Sequence, residues 1–167
     1  MTKWVSVESS DKIASEMPFE KRMEAKTIYS LLSRTAIKYP GRPAVSFQLE
    51  SGPKSSSETL NWGQLLGRVT QAASGLKSLG VSETDRVAYI LPICTEAIVS
   101  FLAGTTAGVV VPISPLLEAK QISGILKLAD VKVVITLKSM PKTDVAQKVS
   151  EALKDCSSVS HVVEVDL

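Results

Sequence analysis

Short runs of consecutive apolar residues, separated by segments with helical periodicity, limit most strongly what this chain can fold into. Val109-Val110-Val111 and Val133-Val134-Ile135 are apolar without alternation. Strands buried on both faces have this pattern, because helices cover both sides of a parallel sheet. Strand and helix patterns alternate from Val87 onward, so the sequence predicts an α/β fold with a mostly parallel sheet and helices packed on it.

The boundaries of this predicted sheet follow from the same patterns. Its strands are expected at residues 87–91, 109–113, 131–137 and 161–166. Helices are expected between them at residues 95–105, around Ile122, Ile125, Leu126 and Ala129, and at residues 143–155. In the first of these helices we expect Ile98, Phe101 and Leu102 to point inward.

The first half of the chain predicts a helix, a β-hairpin and a second, longer helix. An apolar stripe from Ile28 to Tyr39 predicts a helix that Pro40-Gly41 ends. Residues 43–49 and 58–60 predict two strands, joined through a turn at residues 51–54. The longer helix follows over residues 62–79. Asn61 and Gln64 form a capping box at its start, and Gly80 provides a left-handed cap at its end.

The chain divides by composition into two parts. Residues 1–26 are polar without a clear period and predict a loosely ordered N-terminal arm. Residues 27–167 predict a single α/β unit. The chain stops on a predicted strand, although a doubly wound domain usually covers its last strand with a helix. We therefore expect residues 27–167 to be the incomplete first part of a larger domain.

Charge and cysteine content exclude several classes of function. The 167 residues carry 19 basic and 17 acidic side chains, a net charge of +2, which gives no electrostatic basis for binding nucleic acid or an anionic membrane. Cys94, Cys156 and the single His161 are too few for a recognisable zinc site. The sequence has neither a signal-peptide pattern nor an apolar run that could span a bilayer, and a cytoplasmic location with both thiols reduced is expected.

One segment has the residue types of a phosphate-binding loop. Residues 104–108 read Gly-Thr-Thr-Ala-Gly, and such residues can surround a phosphate. A phosphate-binding loop follows a strand and opens a helix, however, whereas this segment ends a helix and enters a strand. We predict a helix-to-strand turn in which the small residues allow close packing.

Two other features are candidates for chemistry, and each has a structural explanation. Glu83 and Asp85 form a carboxylate pair in a turn that we expect to be solvated. Cys94 follows the carboxyl end of a predicted parallel strand, where open α/β sheets bind ligands, but the only histidine, His161, is distant in sequence and a nucleophile needs an activating base. The residues themselves thus indicate an α/β domain without a catalytic constellation. No catalytic, cofactor-binding or metal-binding residue is assigned.

Three passages nevertheless resemble the motifs of a known family. Residues 59–65, Thr-Leu-Asn-Trp-Gly-Gln-Leu, look like the first core motif of adenylate-forming enzymes. Residues 101–113 are similar to the second, an Ala-Gly followed by an apolar strand that ends in Pro. The passage from Gly75 to Ala88 resembles the segment between them, and the order and spacing agree over about residues 27–137. The chain thus resembles the adenylate-forming (AMP-binding) acyl-CoA synthetases.

Within that family, residues 112–117 and 131–136 look most like fatty-acyl-CoA ligases. One departure is Ile93, which stands where the family often has Asn; this puts the local turn hydrogen bonding in doubt.

The resemblance implies a two-step reaction for the whole enzyme. ATP and a carboxylate form an acyl-adenylate and pyrophosphate, and the thiol of CoA then displaces AMP. The family uses a Ser/Thr/Gly-rich loop with a lysine, an acidic residue for Mg²⁺ and a lysine on a mobile C-terminal domain. None of these has a matching position here, so no catalytic residue is transferred. We expect the isolated chain to be an inactive scaffold that binds ATP, Mg²⁺ and CoA weakly at most.

Two other functions stay open from the sequence alone. A short α/β binding or interaction module could pair with a partner, or with itself, through an uncovered part of its sheet. A free-standing nucleotide-binding domain ranks last, because no glycine-rich loop follows any predicted strand.

Overall fold

The computed structural model describes residues 6–48, 52, 57–138 and 143–167. The helices among them are α1 (Val7–Glu16), α2 (Phe19–Arg22), α3 (Ile28–Lys38), α4 (Trp62–Ser78), α5 (Thr95–Ala107), α6 (Ala119–Leu128) and α7 (Val145–Leu153). The strands are β1 (Pro43–Gln48), β2 (Ser57–Asn61), β3 (Arg86–Ile90), β4 (Val109–Pro112), β5 (Val131–Leu137) and β6 (His161–Val165). The turn predicted at residues 51–54 lies, apart from Gly52, outside the described residues.

Four strands form the parallel sheet that the apolar runs predict. Their order is β4-β3-β5-β6, and all three pairings are parallel. Val87 is paired with Val110 on one side and with Val133 on the other, so β3 lies inside the sheet. The side chains of Val87, Val133 and Val134 are fully buried. Burial on both faces explains why these runs do not alternate with polar residues.

Helices cover the two faces of this sheet in pairs. The chain moves outward from β3 to β4 and then returns past β3 to β5 and β6. Right-handed crossovers therefore place α5 on one face and both α6 and α7 on the other. Helix α4 packs against α5, and α6 packs against α7. The main core lies between these layers and the sheet.

A second, smaller core joins α3 and the β-hairpin to α4 and α5. β1 and β2 form the predicted antiparallel hairpin. Leu32 of α3, Leu60 of β2, and Leu65 and Val69 of α4 are its buried members. Helix α4 begins with the predicted capping box, since the Asn61 side chain accepts from the Gln64 backbone N–H and the Gln64 side chain accepts from the Asn61 N–H. These contacts fix the angle at which the hairpin enters α4.

Two expectations about local structure differ from what the structure shows. Residues 7–16 form a helix with a capping box between Ser6 and Ser9, although none of its residues is buried. In α5, Ile98 and Phe101 are partly exposed rather than inward, whereas Ser100, Ala103 and Gly104 are buried. The reason is that this side of α5 lies against β4: a Cβ at Gly104 would meet Val110, so the close approach selects small side chains over large ones.

The close packing predicted for residues 104–108 is confirmed. A Cβ at Gly104 would lie 2.9 Å from a Val110 methyl group, and one at Gly108 would lie 2.5 Å from the Asp85 carbonyl oxygen. Gly108 ends α5 and Val109 opens β4, so the segment is the predicted helix-to-strand turn.

We expect Gly108→Ala to lower the free energy of unfolding by about 1–3 kcal/mol, because its new methyl group would overlap backbone oxygens that cannot move cheaply. Urea unfolding followed by circular dichroism measures this. Gly124→Ala in α6 is the matched control: nothing lies within 4 Å of a Cβ there, and alanine should stabilise the helix by about 0.5–1 kcal/mol. Equal stability of the two variants would contradict the close approach.

Candidate functional site

The carboxyl edge of the parallel sheet is where this topology would bind a ligand. The connections that leave β3 and β5, which are adjacent strands, run in opposite directions, toward β4 and β6. Open α/β sheets bind ligands in the crevice outside the carboxyl ends of such a pair. A cavity of about 360 Å³ lies at this edge. We call it the carboxyl-edge crevice, and its lining consists of Phe47, Glu58, Pro92, Ile93, Cys94, Glu96, Asp166 and Leu167.

The loop between β3 and α5 forms one wall of this crevice. Leu91 and Cys94 are buried, whereas Ile93 is 87% exposed. Cys94 is the residue before the first turn of α5, with an extended backbone and no side-chain cap hydrogen bond. Ile93, the residue that departs from the family pattern, therefore points away from the core.

The β-hairpin is held against this loop by a buried hydroxyl. Thr95 is 1% exposed, and its hydroxyl donates a 2.7 Å hydrogen bond to a carboxylate oxygen of Glu58 in β2. Arg68 of α4 lies 3.1 Å from Glu58 and 3.7 Å from Glu96. One guanidinium is thus shared between two carboxylates, and the contacts tie together the hairpin, α4 and the start of α5.

The electrostatics of the crevice do not fit a magnesium-bound triphosphate. Its lining includes three acidic side chains, those of Glu58, Glu96 and Asp166, and no lysine or arginine. Arg68 contacts two of them, Glu58 and Glu96, and its charge is taken up by these two ion pairs. Within residues 6–48, 52, 57–138 and 143–167, no group of three or more His, Cys, Asp or Glu residues could hold a metal ion. No catalytic step through ATP or Mg²⁺ can be built on these residues.

Cys94 is a poor candidate for a nucleophile in this setting. Burial raises the pKa of its thiol, so the reactive thiolate is disfavoured. His161 begins β6, whereas Cys94 follows the end of β3, so the two residues lie at opposite edges of a parallel sheet. A 2.9 Å hydrogen bond instead joins the Nδ1 atom of His161 and the Ser160 hydroxyl.

The turn before β3 contains an ion-pair network that the sequence analysis missed. The Asp85 carboxylate accepts from the Ser82 backbone N–H and hydroxyl, both at 2.7 Å, and from Lys132 Nζ at 2.9 Å. Lys132 also donates to the Gly80 carbonyl oxygen. These partners, the Lys132 hydrogen bond first, hold the pKa of Asp85 well below its ordinary value of 3.8. The network joins the turn to β5 at the amino edge, so its role is structural.

Only part of this network had a signal in the sequence. The spacing of Ser82 and Asp85 is typical of a side-chain-capped turn. The pairing of Asp85 with Lys132, by contrast, depends on how β3 and β5 are placed in the sheet.

Comparisons with known proteins agree with this architecture. The model of the family described as "AMP-binding enzyme" matches residues 32–167. The chain is 36% identical over 141 residues to acetyl-coenzyme A synthetase 1 of Candida albicans, covering 81% of this chain and 20% of that protein. It is 30% identical over 124 residues to a long-chain-fatty-acid–CoA ligase of Bacillus subtilis (strain 168), covering 74% of this chain and 21% of the relative. The chain thus spans about a fifth of the length of these curated relatives.

A solved structure shares the fold. The inhibitor-bound N-terminal domain of FACL13 from Mycobacterium tuberculosis superposes with a TM-score of 0.68 at 23% sequence identity. The match covers 84% of this chain and 34% of that one. Separately, none of the helices in the described parts of the chain is long and apolar enough to cross a membrane.

We expect Thr95→Val to lower the free energy of unfolding by about 1 kcal/mol, because it removes the hydroxyl that the Glu58 carboxylate accepts from. Thr105→Val is the matched control in the same helix, since that hydroxyl bonds only to carbonyls of its own helix. Urea unfolding of both variants measures the difference. Equal decreases in the free energy of unfolding for the two variants would show that the Thr95–Glu58 hydrogen bond adds nothing to stability.

The Asp85 network predicts a sensitivity to acid. A carboxylate with a lowered folded-state pKa contributes stability that is present above its unfolded value of 3.8 and is lost as the pH falls through the folded value. Asp85→Asn should therefore lower the melting temperature at pH 7 and flatten its fall below about pH 4. Thermal scans between pH 2 and pH 7 measure this. Glu83→Gln, which removes the nearby carboxylate that does not contact Lys132, should retain the wild-type slope.

Proposed function

This chain belongs to the AMP-binding enzyme family, and from that membership we propose that it is the N-terminal portion of an ATP-dependent acyl-CoA ligase. The whole enzyme would form an acyl-adenylate with release of pyrophosphate, and CoA would then displace AMP to give the thioester. The match of the family model to residues 32–167 is the observation that carries the proposal. ATP, Mg²⁺ and CoA are the reactants and metal of the whole enzyme.

We infer that the role of the 167-residue chain in this enzyme is scaffolding. The described residues supply a packed sheet, a docked hairpin and a crevice whose charges are largely paired. Among these described residues no group of three or more His, Cys, Asp or Glu could hold a metal ion, and the lining of the carboxyl-edge crevice has no lysine or arginine for a triphosphate. On its own the chain should therefore be inactive. Residues 27–167 would be the first part of the AMP-binding domain, and residues 1–26 a polar arm before it.

We propose a fatty acid as the carboxylate substrate. The sequence of residues 112–117 and 131–136 and the similarity to a long-chain-fatty-acid–CoA ligase support this choice. Acetate is a second candidate, because the similarity to acetyl-coenzyme A synthetase 1 has a higher identity, 36% against 30%. A cytoplasmic location completes the proposal: Cys94 and Cys156 are buried free thiols, as expected for a reducing compartment.

The alternative is a short binding module that uses its uncovered sheet without catalysis. Val162 in β6 is 45% exposed, which is the observation that favours it. Such a module would associate with a partner and would gain no activity from downstream segments of the family.

Acid-dependent exchange of labelled pyrophosphate into ATP tests the ligase proposal. We expect no exchange by the isolated chain. We expect exchange by a chimera in which this chain replaces the matching segment of the Bacillus subtilis long-chain-fatty-acid–CoA ligase. The native Bacillus enzyme is the positive control. A folded chimera that exchanges no pyrophosphate with any acid would contradict the proposal, and activity of the isolated chain would contradict the scaffolding role.

The acid preference needs the natural full-length protein, because a chimera carries the relative's downstream segment. Exchange with palmitate well above exchange with acetate would support the fatty-acid proposal. The opposite order would replace it with the acetate candidate.

A further inference from the structure

A second cavity, of about 460 Å³, lies on the face of the sheet that α5 covers, between α4 and the strands β5 and β6. We call it the α4 groove. Its walls are mainly apolar, formed by Ala72, Leu76, Leu79, Ile135, Val163 and Val165. Val163 and Val165 are only half-buried, although they pack on the main core. β6 pairs only with β5 among the described strands, so the groove opens toward an unpaired sheet edge.

The charges at one end of the α4 groove argue against a small anionic ligand. Arg68 and Glu96 are the charged residues in its lining. They lie 3.7 Å apart, and Arg68 also pairs with Glu58. A fatty-acid carboxylate or a phosphate would have to displace one of these carboxylates. An occupant with apolar side chains would bury the groove without breaking an ion pair.

The solved relative indicates where such an occupant comes from. The match to the N-terminal domain of FACL13 covers 34% of that chain, so about two thirds of that domain lies outside the shared part. The shared part has a core of its own, and the remainder of the domain must pack against it somewhere. The α4 groove is an apolar cavity that opens toward an unpaired sheet edge. Further strands and helices of the same domain would pair with such an edge and bury such a cavity.

We propose that the α4 groove is the surface on which the remainder of the AMP-binding domain packs, with apolar side chains from that remainder seated beside α4 against β5 and β6. The proposal rests on the proposed function, because it takes the chain as part of a longer family member. It identifies the occupant as polypeptide of the same domain rather than a small ligand or a second copy of this chain.

Two glycines of α4 provide a matched pair of variants. Gly75 lines the α4 groove, whereas Gly67 in the same helix is not part of its lining. Both are exposed, and nothing lies within 4 Å of a Cβ added at either position. Lysine is a better helix former than glycine. Gly75→Lys and Gly67→Lys should therefore both fold at least as stably as the wild type, but only the first places a long charged side chain in the groove.

The isolated chain provides the first measurement. The wild type should bind the apolar dye ANS, Gly75→Lys should reduce the bound fluorescence at least twofold, and Gly67→Lys should leave it unchanged. Equal binding by both variants would show that the groove is not an accessible apolar surface and would overturn the proposal. Sedimentation equilibrium adds a second criterion. If the wild type forms a dimer that Gly75→Lys abolishes and Gly67→Lys retains, a second copy of the chain occupies the groove. That result would also overturn the proposal.

Hydrogen exchange compares the isolated chain with the Bacillus chimera described above. Amides of residues 75–79 and 161–165 should exchange at least tenfold more slowly in the chimera, and Gly75→Lys should remove this protection while Gly67→Lys retains it. Unchanged exchange in a folded chimera would overturn the proposal. Slower amide exchange in a chimera that exchanges no pyrophosphate would support the interface and contradict the ligase function. Pyrophosphate exchange in a chimera whose amides are not protected would support the ligase function and contradict the interface.

Discussion

Burial of β3 and β5 on both faces is the constraint on which the other elements depend. Val87, Ala88 and Ile90 in β3, and Val131 and Val133 in β5, have no exposed surface. Such strands are stable only when helices cover both sides of the sheet. α4 meets this need from the first half of the chain and belongs to both cores, so the hairpin and α3 are anchored through it.

Much of this fold could be predicted because its signals are local. The capping box of Asn61 and Gln64, the left-handed conformation of Gly80 (φ 81°) and the apolar run of β5 each depend on residues a few positions apart. The order of strands and helices then restricts the topology to a few choices, since parallel crossovers are right-handed. The predicted bounds of β5, residues 131–137, are those of the structure.

The missed features depend on distant contacts or on the size of a contact surface. Asp85 and Lys132 are 47 residues apart, and Glu58 and Thr95 are 37 apart. Neither pairing can be found before the sheet register and the hairpin position are known. In α5, apolarity alone favours Ile98 and Phe101 as inward residues, but Gly104 is the residue that is buried, because it lies against Val110 of β4 without room for a Cβ. None of the residues of the surface helix α1 is buried, so core packing imposes no apolar stripe that the sequence would show.

The same physical reasoning distinguishes the carboxyl-edge crevice from the α4 groove. At the carboxyl-edge crevice, polar contacts of Glu58, Thr95 and Arg68 close the space between the hairpin and the sheet, and the excess charge is negative. A transition state that places negative charge on phosphate is stabilised by hydrogen-bond donors and cations, not by carboxylates. The α4 groove differs in that its walls are mainly apolar and its lining includes the cation Arg68 together with its partner Glu96, so that no excess charge is left. Burial against polypeptide, rather than catalysis, is what such a surface favours, and the two cavities together support the proposed scaffolding role.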